Sequence, residues 1–280
     1  MFAGGSVGVI ELKGVIMDSR KILKQLDKFE EEDDIKSVVL HLNSPGGAVA
    51  PSQEIYQAVR KFKKPLVVSM ASMAASGAFY VACGAKKVYA NPGTITGSIG
   101  VIMEFASLEK LYDWAKIRRY AIKTGKFKDA GAEYREMTDE EKALLQTMVD
   151  DVLVQFKEAI SKGRGLTPEQ VTAIADGRIF SGSQAKAIKL VDELGGLPDA
   201  IDDAAKQAKL TGKPHVVYAE DSKRKWLDLL LDGQSEEESS EAQVAPIGVK
   251  GLVQGLIGHS LQESVTGLTP GIYWIWNGNG

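Results

Sequence analysis

The fold is decided by two stretches in the first half of the chain, SVVLHLNSPGG at residues 37–47 and PLVVSMASMAASGAFYVACGA at residues 65–85. The apolar, β-branched start of each stretch is typical of a buried strand, and residues 43–47 end the first strand in a turn. The second stretch is uncharged and long enough to cross a membrane, but Ala, Ser, Gly, Val and Met dominate it. We therefore expect a buried strand that continues into a buried helix.

Strands and helices alternate on both sides of these stretches. The β-branched residues of segment 7–12 predict a strand, and apolar residues at helical spacing in segment 19–32 predict an amphipathic helix. A further helix is expected over residues 52–62 and a short strand over residues 87–90. Strands separated by helices favour an α/β domain with a mainly parallel sheet and helices packed on it.

The second half of the chain is predicted to be mainly helical. Thr138 and Glu141 suit a capping box before a helix that reaches about Lys162, and further helices are expected to begin near residues 167, 181 and 199. Beyond residue 221 a basic run gives way to the acidic SEEESSE, which predicts a flexible linker over about residues 232–245.

These patterns predict one domain over residues 1–220, followed over residues 221–280 by a linker and an apolar C-terminal tail. The tail ends in GIYWIWNGNG, an aromatic cluster among glycines. Three interpretations of it stay open: disorder, docking on a neighbouring subunit, or binding in a peptide groove.

Composition excludes several classes of function. The chain has 280 residues, 44% hydrophobic and 25% charged, with a formal net charge of −3, which is ordinary for a soluble globular protein and disfavours a nucleic-acid binder. The single cysteine, Cys83, rules out an intrachain disulfide and a CxxC metal site, and we expect it to be buried packing. We expect neither a metal nor a cofactor.

Two glycine-containing segments follow predicted parallel strands, where open α/β sheets place their binding sites. The Pro-Gly-Gly turn at residues 45–47 exposes backbone N–H groups, and Ser76 lies between small residues at a strand-to-helix turn that can present a nucleophilic hydroxyl. The N–H groups of Gly47 and Gly77 can form an oxyanion hole. Taken alone, the Pro-Gly-Gly segment is typical of an ordinary turn, and the Ser76 segment is typical of tight packing between a helix and a strand. The two segments together indicate an acyl-transfer site.

In order and spacing, a longer set of motifs resembles the signal peptide peptidase A family of bacterial serine peptidases, which share the fold of the Clp protease subunit and crotonase. The set comprises NSPGG, SMASMAASGAFYVA, TGSIGV, KFKD, SKGRG and ADGRIFSGSQAKAIKLVDELGG, and it covers about residues 7–208. The resemblance implies a Clp protease/crotonase-like α/β fold with parallel strands and packed helices. The residue patterns add a helical extension and a C-terminal tail to this fold.

The resemblance also implies a role for each matching residue. Ser76 matches the nucleophile, Lys128 the general base, Gly47 and Gly77 the oxyanion-hole amides, and Ser98 a hydroxyl that orients the lysine. A lysine base must be neutral although its reference pKa is about 10.4, so we expect it to be buried and within about 2.6–3.2 Å of the serine.

Without the resemblance, Lys123, Lys126 and Lys128 are equally good candidates for the base, and each has the alternative of being an exposed, solvated charge. None of the three histidines has a convincing setting for a catalytic triad. His41 is expected to be a half-buried strand residue, and His215 and His259 lie beyond the expected catalytic core.

Substrate and partners follow from the resemblance. Members of this family degrade released signal peptides and other small apolar peptides at the membrane, as homo-oligomers for which we expect eight subunits. Met70, Met73 and Met103 are candidates for an apolar substrate pocket, with ordinary core packing as the alternative.

The resemblance places such a catalytic domain at the bacterial cell membrane, on its extracytoplasmic side. Family members usually carry an N-terminal membrane anchor, and this chain begins near its first predicted strand, so membrane association is expected through an anchor that is not in this sequence. Two other functions stay open: a crotonase-like acyl-CoA enzyme and a non-catalytic membrane scaffold.

Overall fold

A computed structural model describes residues 5–219 and the backbone of a short strand at Tyr273–Ile275. The linker predicted over residues 232–245, His259 and the remainder of the predicted tail lie outside the described residues. The strand at Tyr273–Ile275 belongs to the same compact unit as residues 1–219.

Strands and helices alternate in the first half, as the sequence predicts. The described strands are β1 (Ser6–Lys13), β2 (Ile35–Ser44), β3 (Gly46–Ala48), β4 (Leu66–Ala75), β5 (Lys87–Ala90), β6 (Ile95–Gly97), β7 (Ile179–Ser181), β8 (Glu193–Leu194), β9 (His215–Tyr218) and β10 (Tyr273–Ile275). The described helices are α1 (Arg20–Glu31), α2 (Val49–Lys61), α3 (Gly77–Ala82), α4 (Glu109–Trp114), α5 (Asp139–Arg164), α6 (Pro168–Thr172), α7 (Gly182–Ala187) and α8 (Leu197–Gln207).

The main sheet is mostly parallel, in the order β7-β6-β4-β2-β1-β9. Strand β4 changes partner along its length: Val67–Met70 pairs with β5, and Met73–Ala75 pairs with β6. Only the β6–β7 pair of this described sheet is antiparallel. The mainly parallel α/β sheet predicted from the sequence is therefore confirmed.

Both faces of the sheet are covered, which is why its strands are nearly continuously apolar. Val7, Val9 and Val39 pack against small residues of α8, and the opposite face carries the larger core, to which Phe29, Phe79 and Phe156 contribute. The uncharged segment 65–85 is accordingly a buried strand and helix. In the described residues, no helix combines the length and apolar character needed to cross a bilayer.

The helix starts of the second half are set by local chemistry. Thr138, Thr167 and Ser181 each accept a hydrogen bond from the backbone three residues on, and each forms the reciprocal capping box. Helix α5 ends at Gly165, whose φ of 66° is the left-handed conformation that closes many helices. The last helix, α8, begins at Leu197, two residues before the predicted start.

Candidate active site

Ser76 occupies the single residue between β4 and α3, and its backbone is strained. Its φ is 53° and its ψ is −118°, outside the regions that a residue with a Cβ normally adopts. Ser76 is 1% exposed, its N–H donates to the carbonyl of Gly97 at 2.8 Å, and its own carbonyl accepts from Tyr80 N–H at 2.9 Å. The sheet and the first turn of α3 thus hold Ser76 in a sharp turn of the kind that presents nucleophilic serines.

Gly47 lies at the centre of β3, in a place that accepts only glycine. Ile16 N–H donates to Gly46 O at 2.8 Å and Ala48 N–H donates to Ile16 O at 2.7 Å. A Cβ on Gly47 would lie 2.1 Å from the Ile16 carbonyl oxygen. Because backbone groups alternate along a strand, the N–H and C=O of Gly47 point away from Ile16, toward the opposite edge of β3.

That opposite edge of β3 is occupied by β10. The two strands are antiparallel, with Trp274 opposite Gly47 and Tyr273 opposite Ala48. Strand β10 also lies against α3, the helix that follows Ser76. An extended backbone therefore runs beside the predicted oxyanion-hole glycine and against the helix that follows the predicted nucleophile. Sheet edges bind peptides by this kind of strand pairing.

Ser98 lies one residue beyond the carbonyl that holds Ser76. It follows β6, is 7% exposed, and has a positive φ of 50° next to Gly97, whose φ is 80°. Its N–H donates to Arg178 O at 2.8 Å, and Thr96 Oγ1 anchors the same strand to Ala74 O at 2.7 Å. The structure thus brings the segments of Ser76 and Ser98 together on adjacent strands.

Lys128 is placed differently from its expected position. It is exposed, in the run of turns at residues 124–131, and within residues 5–219 no hydrogen bond joins its Nζ to Ser76 or Ser98. The other two candidate lysines are each paired with a carboxylate: Lys123 with Asp129, and Lys126 with Glu140. The burial expected of a lysine base is therefore not present within the described chain, and the Ser76–Lys128 dyad stays a prediction.

Comparison with known proteins decides the family. The model of peptidase family S49 matches residues 58–211, and the Clp protease model matches residues 9–96. This chain belongs to peptidase family S49. The predicted resemblance and the Clp protease-like α/β fold are thereby confirmed, and the S49 chain is a protease.

Several relatives carry protease names. A "Putative protease" of Synechocystis sp. is 40% identical over 72% of this chain and 74% of its own length. A "Putative signal peptide peptidase SppA" of Enterococcus faecium is 34% identical over 72% of this chain and 60% of its own, and "Protease 4" of Salmonella typhi is 32% identical over 83% and 39%. This chain therefore spans about three quarters of the first of these relatives and less of the other two.

The three methionines predicted to line a pocket differ in exposure. Met70 is fully buried in the larger core of the S49 chain, whereas Met73, in β4, and Met103 are partly exposed. Met73 and Met103 can therefore contact solvent, and Met70 cannot. A substrate pocket formed by the three stays a prediction.

The described histidines and the cysteine of the S49 chain have structural settings. His41 is half-buried, lies 3.3 Å from Ser69 Oγ through Nδ1, and has its pKa lowered chiefly by burial. His215 Nδ1 lies 3.1 Å from Ser6 Oγ in the β1–β9 pair. Cys83 is buried, and burial raises the pKa of its thiol to about 12, so it stays protonated and unreactive.

Three features of the site were not predicted from the sequence. Binding of the aromatic tail in a groove was one of three interpretations left open, but the pairing of β10 with β3 was not predicted: the strands are more than two hundred residues apart, and a distant pairing leaves no local signal. The Arg178 carbonyl that holds Ser98 is a backbone group, which sequence patterns do not specify. The ion-pair network around Asp129 joins side chains that look like ordinary surface charges, although Glu141 at the third position of a capping box was a usable signal.

Proposed function

We propose that this S49 peptidase is a serine endopeptidase in which Ser76 is the nucleophile and Lys128 the general base. The observation that carries the proposal is the strained Ser76 turn beside a strand edge that pairs with an extended backbone. A substrate peptide that pairs with β3 in the same way as β10 does would place one of its carbonyl groups opposite the Gly47 N–H. The proposed oxyanion hole consists of that N–H and the N–H of Gly77.

The proposed reaction has two halves. Ser76 Oγ attacks the scissile carbonyl carbon while Lys128 Nζ takes the hydroxyl proton, and the carbonyl oxygen becomes an oxyanion held by the two N–H groups. The C–N bond then breaks, the amine leaves with the proton from Lys128, and an ester on Ser76 remains. Water, deprotonated by Lys128, attacks the ester carbon; the bond between that carbon and Ser76 Oγ then breaks, Lys128 returns the proton to Oγ, and the acid leaves.

Ion pairing favours Lys128 over its two neighbours for this role. A lysine whose Nζ already donates to a carboxylate is engaged elsewhere and is not placed to accept a proton from Ser76. Lys123 and Lys126 both have such partners, and Lys128 has none within residues 5–219. We assign Ser98 to accept a hydrogen bond from Lys128 and orient it.

We further propose that the enzyme is a homo-oligomer, with eight copies as the expected number. The segment that carries Lys128 exposes large apolar side chains, including Trp114 at 80%, Tyr120 at 82% and Ile122 at 97% exposure. A neighbouring copy packed on them would also remove Lys128 from water, as a neutral lysine requires. Light scattering gives the copy number, and a monomer at assay concentration that is fully active would refute the oligomer.

The proposed substrates are released signal peptides and other small apolar peptides at the bacterial membrane, on its extracytoplasmic side. The relative named as a signal peptide peptidase and the family resemblance support this assignment. Met73 and Met103 are the proposed walls of an apolar pocket for the residue before the cleaved bond. Met103→Glu should move the cleavage preference away from apolar residues, and an unchanged preference would remove Met103 from the pocket.

The deciding experiment labels the active site with a fluorophosphonate and locates the adduct by peptide mass spectrometry. We expect the label on Ser76, and its loss in Lys128→Ala, together with loss of peptide hydrolysis in Ser76→Ala and Lys128→Ala. Absence of label on the folded protein would favour an acyl-CoA enzyme or a non-catalytic scaffold. Activity that survives Lys128→Ala would refute the base assignment alone.

A further inference from the structure

The turns that carry Lys128 have little internal support. Residues 124–131 contain neither helix nor strand, and the Lys128 N–H reaches Gly125 O at only 3.4 Å. Ala130 N–H to Phe127 O, at 3.1 Å, is the next bond along. Short turns of this kind leave a lysine free to take many positions unless side chains fix them.

Asp129, the residue next to Lys128, is held by Arg135. The guanidinium donates from Nη2 to Asp129 Oδ1 at 2.8 Å and from Nε to Oδ2 at 3.2 Å, and Nη2 also donates to the Asp129 carbonyl at 3.1 Å. Tyr134 and Lys123 donate to the same carboxylate. Both the side chain and the backbone of the residue after Lys128 are therefore fixed by one group.

The other side of the same guanidinium is bound to the first turn of α5. Nη2 donates to Glu141 Oε1 at 2.5 Å and Nη1 donates to Glu141 Oε2 at 2.9 Å. Glu141 is 3% exposed and completes the capping box by accepting from Thr138 N–H at 2.9 Å. Arg135 thus joins the Lys128 turn to the capped start of α5.

We propose that Arg135 is a positioning residue for the base: it bridges Asp129 and Glu141 and so holds Lys128 in register with Ser76 when the site is assembled. This inference rests on the proposed Ser–Lys mechanism. The planar guanidinium donates to the two carboxylates from separate edges, and the single ammonium nitrogen of a lysine at position 135 would not reproduce both two-point contacts.

Two glutamates of α5 supply a matched pair of variants. Glu141→Gln keeps an oxygen that can cap Thr138 but removes the charge that pairs with Arg135. Glu140→Gln makes the same chemical change one residue earlier and breaks only the ion pair between Lys126 and Glu140. That pair is exposed, with the Lys126 side chain 63% and the Glu140 side chain 58% accessible to solvent. Arg135→Gln and Arg135→Lys complete the set. Circular dichroism of each variant is the check that it folds.

The test measures kcat, KM and hydrogen exchange of residues 124–134 in the full chain. We expect kcat to fall about 100-fold in Arg135→Gln and Glu141→Gln, the scale of a 1 Å misplacement, with KM within about threefold. The kcat of Arg135→Lys should lie between the kcat of these two variants and that of the wild type. The kcat of Glu140→Gln should equal that of the wild type. Exchange should accelerate in residues 124–134 of Arg135→Gln and stay unchanged in the β4–α3 segment.

Other outcomes separate this inference from the proposed function. Wild-type kcat in folded Arg135→Gln overturns the positioning role, and so does an equal loss in Glu140→Gln. Unchanged exchange in residues 124–134 overturns it even if the enzyme has no measurable activity. Full activity in Lys128→Ala overturns the base assignment itself, whatever Arg135 does.

Discussion

Replacing Gly47 by alanine tests the oxyanion hole with one methyl group. The new Cβ would lie 2.1 Å from the oxygen, 2.5 Å from the nitrogen and 2.6 Å from the carbon of Ile16, all of them backbone atoms. A backbone neighbour cannot rotate away as a side chain can, so β3 must move by about 1 Å to restore ordinary contact. The Gly47 N–H moves with it.

The expected loss follows from that displacement. Misplacing a catalytic group by 1 Å costs about 100-fold in rate, and removing one oxyanion-hole donor costs about 10²–10³ in kcat, or about 2.7–4 kcal/mol. We therefore expect Gly47→Ala to lower kcat by about 10²–10³. KM should rise less, because the rest of the peptide still pairs with the displaced strand.

The assay is steady-state hydrolysis of an apolar fluorogenic peptide, with thermal unfolding of each variant as the check on folding. Gly93→Ala is the matched control, because nothing lies within 4 Å of a Cβ at that position and its backbone is not left-handed. The control should keep wild-type kcat. A folded Gly47→Ala protein with kcat within threefold of wild type would refute the place of Gly47 in the oxyanion hole.

Three further outcomes are expected. In denaturant titrations, the free energy of unfolding of Ser76→Gly should be about 1–2 kcal/mol higher than that of Ser76→Ala, because glycine adopts the φ of 53° without strain. Equal free energies of unfolding would show that the turn stores no strain. Arg135 and the Thr138 N–H lower the pKa of Glu141 from 4.5 to about 2. The stability that this carboxylate gives is therefore complete above about pH 4.5 and is lost as the pH falls toward 2. The Tm difference between wild type and Glu141→Gln should shrink over that pH range, and a constant difference would contradict the coupling. Deleting residues 272–280 should raise kcat/KM about tenfold by freeing β3, since β10 pairs with all of β3 and each net backbone hydrogen bond contributes about 0.5–1.5 kcal/mol; an unchanged value would mean that β10 does not compete with substrate.

The parts of the fold that local chemistry specifies were predictable. The apolar run of β4 ending in small residues predicted the Ser76 turn, and the Thr138–Glu141 spacing predicted the start of α5. Each of these signals lies within a few residues of the structure it specifies. Such signals are what sequence patterns carry.

The parts that depend on distant pairing were not predictable. Strands β6 and β7 have three residues each, too few for a periodicity, and they exist because β4 offers a free edge beyond Met73. The exposed position of Lys128 was missed for a related reason. Its surroundings depend on the ion pairs that Arg135 makes with Asp129 and Glu141, and these are not encoded in the residues next to Lys128.

In the proposed binding mode, the three-residue edge of β3 limits which polypeptides can be cleaved. A guest strand is bound there mainly through its backbone, so it must first be free of other partners. A segment inside a folded domain becomes free only by unfolding, at a cost of about 5–15 kcal/mol. Each 1.4 kcal/mol is a factor of ten, so folded proteins are disfavoured by at least about 10³ before any side chain is examined. One short edge thus protects intact neighbouring proteins whatever side chain the substrate pocket prefers.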